Sequence, residues 1–280
     1  MSLHEKAILI KLSFTTWQAK KIDRKVTQEV ADIHNLSNDA GKYGKNLIAR
    51  KEIKKIMSVI NKMKSFHNKN TMKWGVGIGI CPSANYMNYA NGMRKLSVEL
   101  DKVARTFKDN LPALIEESKD RLQDTFDPND YPSMEKVEGL YKAKIEVLPV
   151  PSEGDFRVEG IDKEDLNRMK SEIKEKIKET HKEAMKELYL RLFNSVKHMA
   201  KTLGDVNAKF HSSLIGNIEE LVELLPRLNF DKDKKLTSLV KEAKKNLSRY
   251  NPDELKHDKV KRKEATKKAQ ALVDKMSQFI

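Results

Sequence analysis

Residues 162–203, DKEDLNRMKSEIKEKIKETHKEAMKELYLRLFNSVKHMAKTL, decide the fold class. Leu166, Met169, Ile173, Ile177, Thr180, Ala184, Leu188, Arg191, Ser195, Met199 and Leu203 recur at steps of three or four. That period lines one face of an α-helix, although three of the positions are polar. At 1.5 Å per residue, about forty residues make a rod of roughly 60 Å. A rod of that length calls for a coiled-coil-like partner, either within the chain or in a second copy.

Three shorter helices are expected beyond the rod, over about 211–226, 232–249 and 253–280. Before it the pattern is mixed. AILIKLSF (7–14) reads as a strand, followed by a helix that Thr15 or Thr16 caps and that runs to about Asn35, with Trp17 in its first turn. NLSNDAGKYGKN (35–46) reads as a loop. The next helix, about 45–67, has a buried stripe of Ile53, Ile56, Ile60 and Met63. Another starts at Pro82 and Ser83 and buries Met93, Leu96, Leu100, Val103 and Phe107, with a kink or restart expected at Pro112. YKAKIEVLPVP (141–151) alternates Ala143, Ile145 and Val147 against charges like a half-buried strand, with GDFRV (154–158) as its hairpin partner. The expectation is an α+β, predominantly α-helical chain, its small β-sheet drawn from the N-terminal half. An α+β basic domain over 1–160 would precede a helical region over 161–280.

The 280 residues carry 34% charged side chains, above the roughly 25% of an ordinary domain, and a net charge of +14. The excess points to a polyanionic partner. Cys81 is the lone cysteine, which excludes an internal disulfide and a thiolate metal cluster and suits a reducing, cytoplasmic setting. The apolar run near the N-terminus is short and interrupted by Lys11, which argues against a signal peptide or a membrane span.

The excess is concentrated. Between Lys42 and Lys73 ten basic residues (Lys42, Lys45, Arg50, Lys51, Lys54, Lys55, Lys62, Lys64, Lys69, Lys73) meet one acid, Glu52. Lys51, Lys55, Lys62 and Lys69 step by four, seven and seven, forming a row opposite the apolar stripe. Such a row is a track for a phosphate backbone, or a solvated helix face that would ordinarily mix its signs. Aromatic residues flank it: Tyr43 before, Trp74 after, and Tyr86 and Tyr89 three apart on the next helix, near Arg94. Trp17, Lys20, Lys21 and Arg24 repeat the association near the N-terminus. A cationic groove with exposed rings binds single strands without reading bases, although any one ring is more often a core residue. The basic run 256–268 is interleaved with acids and reads as a solvated face.

TMKWGVGIGICP (71–82) spaces Gly75, Gly77 and Gly79 two apart. It lacks the Gly-Lys-Ser/Thr of a phosphate loop and the third glycine of a dinucleotide fingerprint. In one strand the three glycines would share a bare face, open to a packed helix or to a nucleotide chain. Catalytic signals are weak. The seven histidines are scattered, no nucleophile elbow occurs, and Asp155, Glu159, Asp162, Glu164 and Asp165 are explained by turn and cap chemistry more simply than by a magnesium site. The reading is non-enzymatic, with no cofactor and no metal.

LHEKAILIKLSFTTWQAKKIDRKVTQEVADIH, DAGKYGKNL, CPSANYMNYANGMRKL, VLPVPSEGDFRV and NIEELVELLPRLN together resemble, over nearly the full length, a family of largely uncharacterised bacteriophage and prophage proteins. Its members tend to be encoded among phage DNA-metabolism genes, and one branch consists of single-stranded-DNA-binding proteins unrelated to OB-folds. The resemblance implies a DNA-binding protein and carries over no catalytic residue; joined to the local charge and the interleaved aromatics, it makes the leading expectation a single-stranded-DNA-binding protein of the host cytoplasm that acts through residues about 17–95, beside phage replication proteins, with the long helices serving self-association. RNA is the alternative nucleic acid. A helical adaptor that docks to a phage or host machine is the rival reading, and a metal-dependent nuclease a more distant one.

Overall fold

The computed structural model describes residues 3–37, 39–152, 154, 160–205 and 207–279. In chain order the elements are α1 (Leu3–Lys6), β1 (Ala7–Thr16), β2 (Lys20–Ile22), α2 (Arg24–His34), β3 (Gly44–Asn46), α3 (Arg50–Asn70), β4 (Met72–Gly75), β5 (Ile78–Pro82), α4 (Ser83–Leu122), α5 (Met134–Val137), β6 (Tyr141–Pro149), α6 (Lys163–Gly204), α7 (Ser213–Leu228), α8 (Lys234–Asn246), α9 (Pro252–His257) and α10 (Lys259–Met276). The fold is α+β and predominantly helical. One sheet has the strand order β4-β5-β1-β6, and β2 and β3 form a second.

The chain divides into two compact units that interleave rather than meeting at residue 160. Unit 1 comprises residues 1–11, 68–89 and 146–280; unit 2 comprises 12–67 and 90–145. The chain crosses from one to the other inside β1, α3, α4 and β6.

Unit 1 is organised by α6, the expected rod. Asp162 starts it by accepting from the backbone N–H groups of Glu164 (2.9 Å) and Asp165 (3.0 Å). Its C-terminal half packs on α7, α8 and α10, so the rod finds its partners within the chain. The buried stripe there is Ala184, Leu188, Leu192, Val196, Met199 and Leu203, with Leu192 and Val196 where Arg191 and Ser195 were expected. Arg191 is displaced from the core because it has another task. Its guanidinium, held by Glu187, donates to the carbonyls of Lys69 (2.7 Å), Asn68 (2.8 Å) and Thr71, where α3 ends. Those carbonyls have no intrahelical donor, and a cation there also suits the helix dipole.

β1 pairs antiparallel with β5 from Ala7↔Pro82 to Lys11↔Ile78. The glycine-rich stretch is not one strand. It is a hairpin of β4 and β5, turning at Val76 and Gly77, where Gly77 has φ +69. A turn with positive φ at its third residue favours glycine, and this local demand overrides the period-two reading. Gly75 lies opposite Ile78, Gly79 lies opposite Lys73, and Trp74 is the extra residue of a bulge. The shared bare face therefore does not exist.

Unit 2 contains most of α3 and α4, with Ile56, Ile60 and Met63 of the first and Met93, Leu100, Phe107 and Leu111 of the second buried. Gly92 lets the Phe66 ring approach so closely that a Cβ at 92 would lie 2.1 Å from it. α4 runs unbroken through Pro112, as α7 does through Pro226. At the other end of the unit the expected helix from Thr15 to Asn35 is corrected. β1 continues through the β-branched pair Thr15 and Thr16, Ala19 adopts φ +50, and α2 begins only after its cap Asp23, so Trp17 is not helical.

β6 forms where expected, but Ile145 and Val147 are 38% and 51% exposed, so its apolar face is mostly uncovered. Its proposed partner, GDFRV, lies outside the described residues apart from Gly154. The last helix is divided at Asp258, which caps α10 through the N–H groups of Val260 (2.9 Å) and Lys261 (3.0 Å).

Candidate nucleic-acid interface

The lysine row on α3 is exposed, as its spacing requires, but it is not free of acids. Lys55 pairs with Glu52 at 2.6 Å, Lys62 with Glu99 at 2.8 Å, and Lys51 approaches Glu117 at 3.8 Å. Lys69, in unit 1, pairs with Glu220. For Lys51 and Lys62 the acids absent from the local sequence are supplied by α4, through Glu117 and Glu99. Exposed pairs of this kind contribute about 0–1 kcal/mol each, so their main effect is to flatten the field along the helix.

A different set of cations converges. β2 and β3 pair antiparallel, placing Lys21 directly opposite Lys45. Like charges in that position repel, and the sheet needs an anion between them. Asp130, 109 residues from Lys21, takes it: one carboxylate oxygen meets Lys21 and the other lies 2.8 Å from Lys45. Asp23 adds a second carboxylate at 3.4 Å from Lys45 while capping α2 through Val26 N–H at 3.1 Å. Lys45 also donates to the Thr125 carbonyl and is only 6% exposed. Burial acts to lower the Lys45 ammonium, but Asp130 and Asp23 outweigh it and hold its pKa above the ordinary value. Burial likewise acts to raise Asp130, and Lys21 and Lys45 bring it below the usual carboxylate range. Asp23 is lowered by its bond from Val26 N–H, with Lys45 assisting.

This network walls an open cleft of about 1010 Å³ in unit 2. Lys20, Arg24 and Lys42 also line it, and they have no ion pair among the described residues. Next to Lys42, Tyr43 is 44% exposed. Its backbone is fixed, because Asp23 N–H donates to its carbonyl at 3.0 Å and its own N–H donates to Thr27 Oγ1 at 3.0 Å. The cleft thus offers a rim of three cations without ion pairs among the described residues, beside the carboxylates of Asp23, Asp127 and Asp130, with an exposed tyrosine on a fixed backbone at its edge.

Of the residues expected at the interface, Lys20, Lys21, Arg24, Lys42 and Lys45 line this cleft and Tyr43 adjoins it. Lys45 is corrected from a phosphate contact to a buried structural cation. Arg50, Lys51, Lys54, Lys55 and Lys62 lie along α3 and do not line the cleft; Arg94 on α4 bonds Asn91 at 2.9 Å. Trp17 is half-buried, its ring edge-on to Phe107 at 6.3 Å and its carbonyl bonded by the Tyr141 hydroxyl at 2.8 Å, so it anchors the fold. Lys69, Lys73, Trp74, Tyr86 and Tyr89 belong to unit 1. There Trp74 packs on the apolar core, Tyr86 is half-buried and Tyr89 is 1% exposed, leaving Tyr89 no face for a base. Sequence reasoning missed Asp23, Asp127 and Asp130, which share the cleft walls; for the last two the reason is that DPNDYPSMEK (127–136) reads as a break. Among the described residues no group of three or more His, Cys, Asp or Glu side chains is placed to hold a metal ion.

Fold and site together define a helix-rich α+β protein with a cationic, solvent-open cleft. Compared with known proteins, the chain matches no protein-family model, no curated protein and no solved structure. No helix among the described residues is long and apolar enough to cross a membrane.

Proposed function

We propose that this protein binds single-stranded DNA without reading its sequence, through the cleft of unit 2, as a non-enzymatic component of phage DNA replication or recombination in the host cytoplasm. The observation that carries the reading is the rim. Lys20, Arg24 and Lys42 lack carboxylate partners among the described residues and border an open cleft beside an anchored tyrosine. Phosphates release counterions on meeting such cations, and an exposed ring adds stacking that any base satisfies. The phage assignment rests on the sequence resemblance. The α3 row is a secondary contribution, since each of its paired lysines must exchange a carboxylate for a phosphate.

Fluorescence anisotropy with labelled oligo-dT, the matching duplex, an oligo-U control and a salt series tests the reading. Binding to oligo-dT that weakens steeply with salt is expected. No binding at low salt, or a preference for duplex, overturns it.

The adaptor reading draws on the N-terminal half of α6, where Leu166, Met169, Ile173 and Ile177 are only half-buried. It expects that Glu at these positions abolishes activity while Glu at Lys20, Arg24 and Lys42 does not. Sedimentation of the same α6 variants tests self-association through that helix.

A further inference from the structure

Beside the cleft lies a smaller pocket of about 260 Å³, walled by α2 and by the loop after it. Its size falls below the roughly 300–1,000 Å³ typical of drug-sized ligand sites, which suits one planar ring rather than a whole cofactor. Val30, Ala31, Leu36 and Tyr43 give it an apolar lining. α2 is amphipathic, yet none of its residues is buried, and Val30, Leu36 and Tyr43 remain 40%, 46% and 44% exposed. A helix that keeps its apolar face uncovered beside an anchored tyrosine lacks an occupant.

The surroundings identify one. Thr27, Gln28 and Lys42 line both the pocket and the cleft, so the two adjoin. Whatever enters must bring a flat apolar surface and also negative charge for Lys42 and Arg24. Three polar side chains of the wall are already engaged: Thr27 Oγ1 with the Asp23 carbonyl and Tyr43 N–H, Gln28 Nε2 with Asp32 at 2.8 Å, Ser37 with Asp39 at 2.7 Å. The pocket therefore provides contact area with little donor and acceptor pattern, which suits a base bound by its face rather than read by its edge.

We infer that this pocket takes one unstacked nucleobase of the strand whose phosphates lie on the cleft rim, with the Tyr43 ring as its stacking surface. The inference rests on the cleft reading and adds a base site to it. It predicts a preference for single strands, because a paired base cannot leave its stack without a cost of a few kcal/mol.

The test uses the full chain, labelled oligo-dT and an oligomer of equal length and charge in which every nucleotide is abasic. For the wild-type protein, removal of the bases is expected to weaken binding about tenfold, within the range for stacking one base on an aromatic ring. Tyr43→Ala and Ala31→Phe, the second filling the pocket, should each weaken oligo-dT by a similar factor and leave the abasic oligomer and the salt slope unchanged. Tyr43→Phe should bind like wild type. Equal binding of both oligomers with a normal salt slope overturns the base site and leaves the cleft reading standing; no binding of either removes both. Competition by an acidic peptide bearing one aromatic residue, lost in Ala31→Phe while the two oligomers bind alike, would assign the pocket to a protein partner and overturn the inference.

Discussion

Replacing Lys20, Arg24 and Lys42 together by Ala removes three exposed cations from the cleft rim and leaves the Lys21–Asp130–Lys45 network in place. For a single strand each neutralised phosphate contributes about 0.7 to the slope of log affinity against log salt, so the slope should fall by roughly 2. Between 50 and 200 mM salt, a change of that size makes the variant about 16-fold less salt-sensitive than the wild type. At low salt, three contacts worth about 1 kcal/mol each at water-like screening correspond to a loss of about 150-fold. The comparison is Lys51→Ala, Lys55→Ala, Lys62→Ala, whose lysines already face carboxylates. That triple should change the slope by about 1 or less, because each phosphate contact there displaces an ion pair as well as counterions. Anisotropy titrations of all three proteins at four salt concentrations, with circular dichroism to verify folding, give both slopes. If the α3 triple loses more slope than the rim triple, the field runs along α3 and the cleft assignment is refuted.

Asp130→Asn leaves Lys21 and Lys45 facing each other across the β2–β3 pair and should destabilise the fold by about 3 kcal/mol in urea titration, the low end for breaking a buried pair. Asp130 and Asp23 have native pKa values below the ordinary 3.8, so their stabilisation is complete above that range and is lost as pH falls through it. Urea midpoints should drop below about pH 4, and less steeply in Asp130→Asn; an unchanged acid limb would refute the assignment. Gly92→Ala forces a methyl against the Phe66 ring and should cost about 1–3 kcal/mol, with Phe66→Leu relieving much of it in the double variant. Burial pushes the Cys81 thiol up to about 12, so a thiol reagent at pH 8 should label the native protein far more slowly than the urea-unfolded chain. Equal labelling rates would place Cys81 at the surface.

Legibility in the sequence followed the range of the interactions. α6 was readable because its period is repeated over 42 residues, and local repetition is what pattern reading detects. The stripes of α3 and α4 were readable for the same reason. The hairpin at Gly77 was not, because period two continues numerically across a turn that only a positive φ reveals. Lys45 was misassigned as a phosphate contact because its partner Asp130 is 85 positions away, and the acids facing Lys51 and Lys62 lie 66 and 37 positions along the chain. Charge density counted in a window measures composition, whereas the field at a surface depends on which windows the fold brings together. Arg191 shows the converse: a charge that looked like a fault in an apolar stripe terminates another helix.

The interleaving of the two units also imposes an order in time. Unit 2 is complete in sequence by residue 145, whereas unit 1 joins its first residues to its last segment, as in the pairing of Lys6 with Asp231, 225 positions apart. A chain emerging from the ribosome at about 5–20 residues per second can close unit 2 many seconds before unit 1 has all its parts. Its N-terminal strand can pair with β5 early, but Leu3, Ala7 and Leu9 must wait for the helices beyond residue 160 that share their core. Nascent chains arrested with residues up to 160 exposed should already protect 12–67 and 90–145 from protease while 146–160 is cut. Uniform cleavage at that length would show that the two units fold only together.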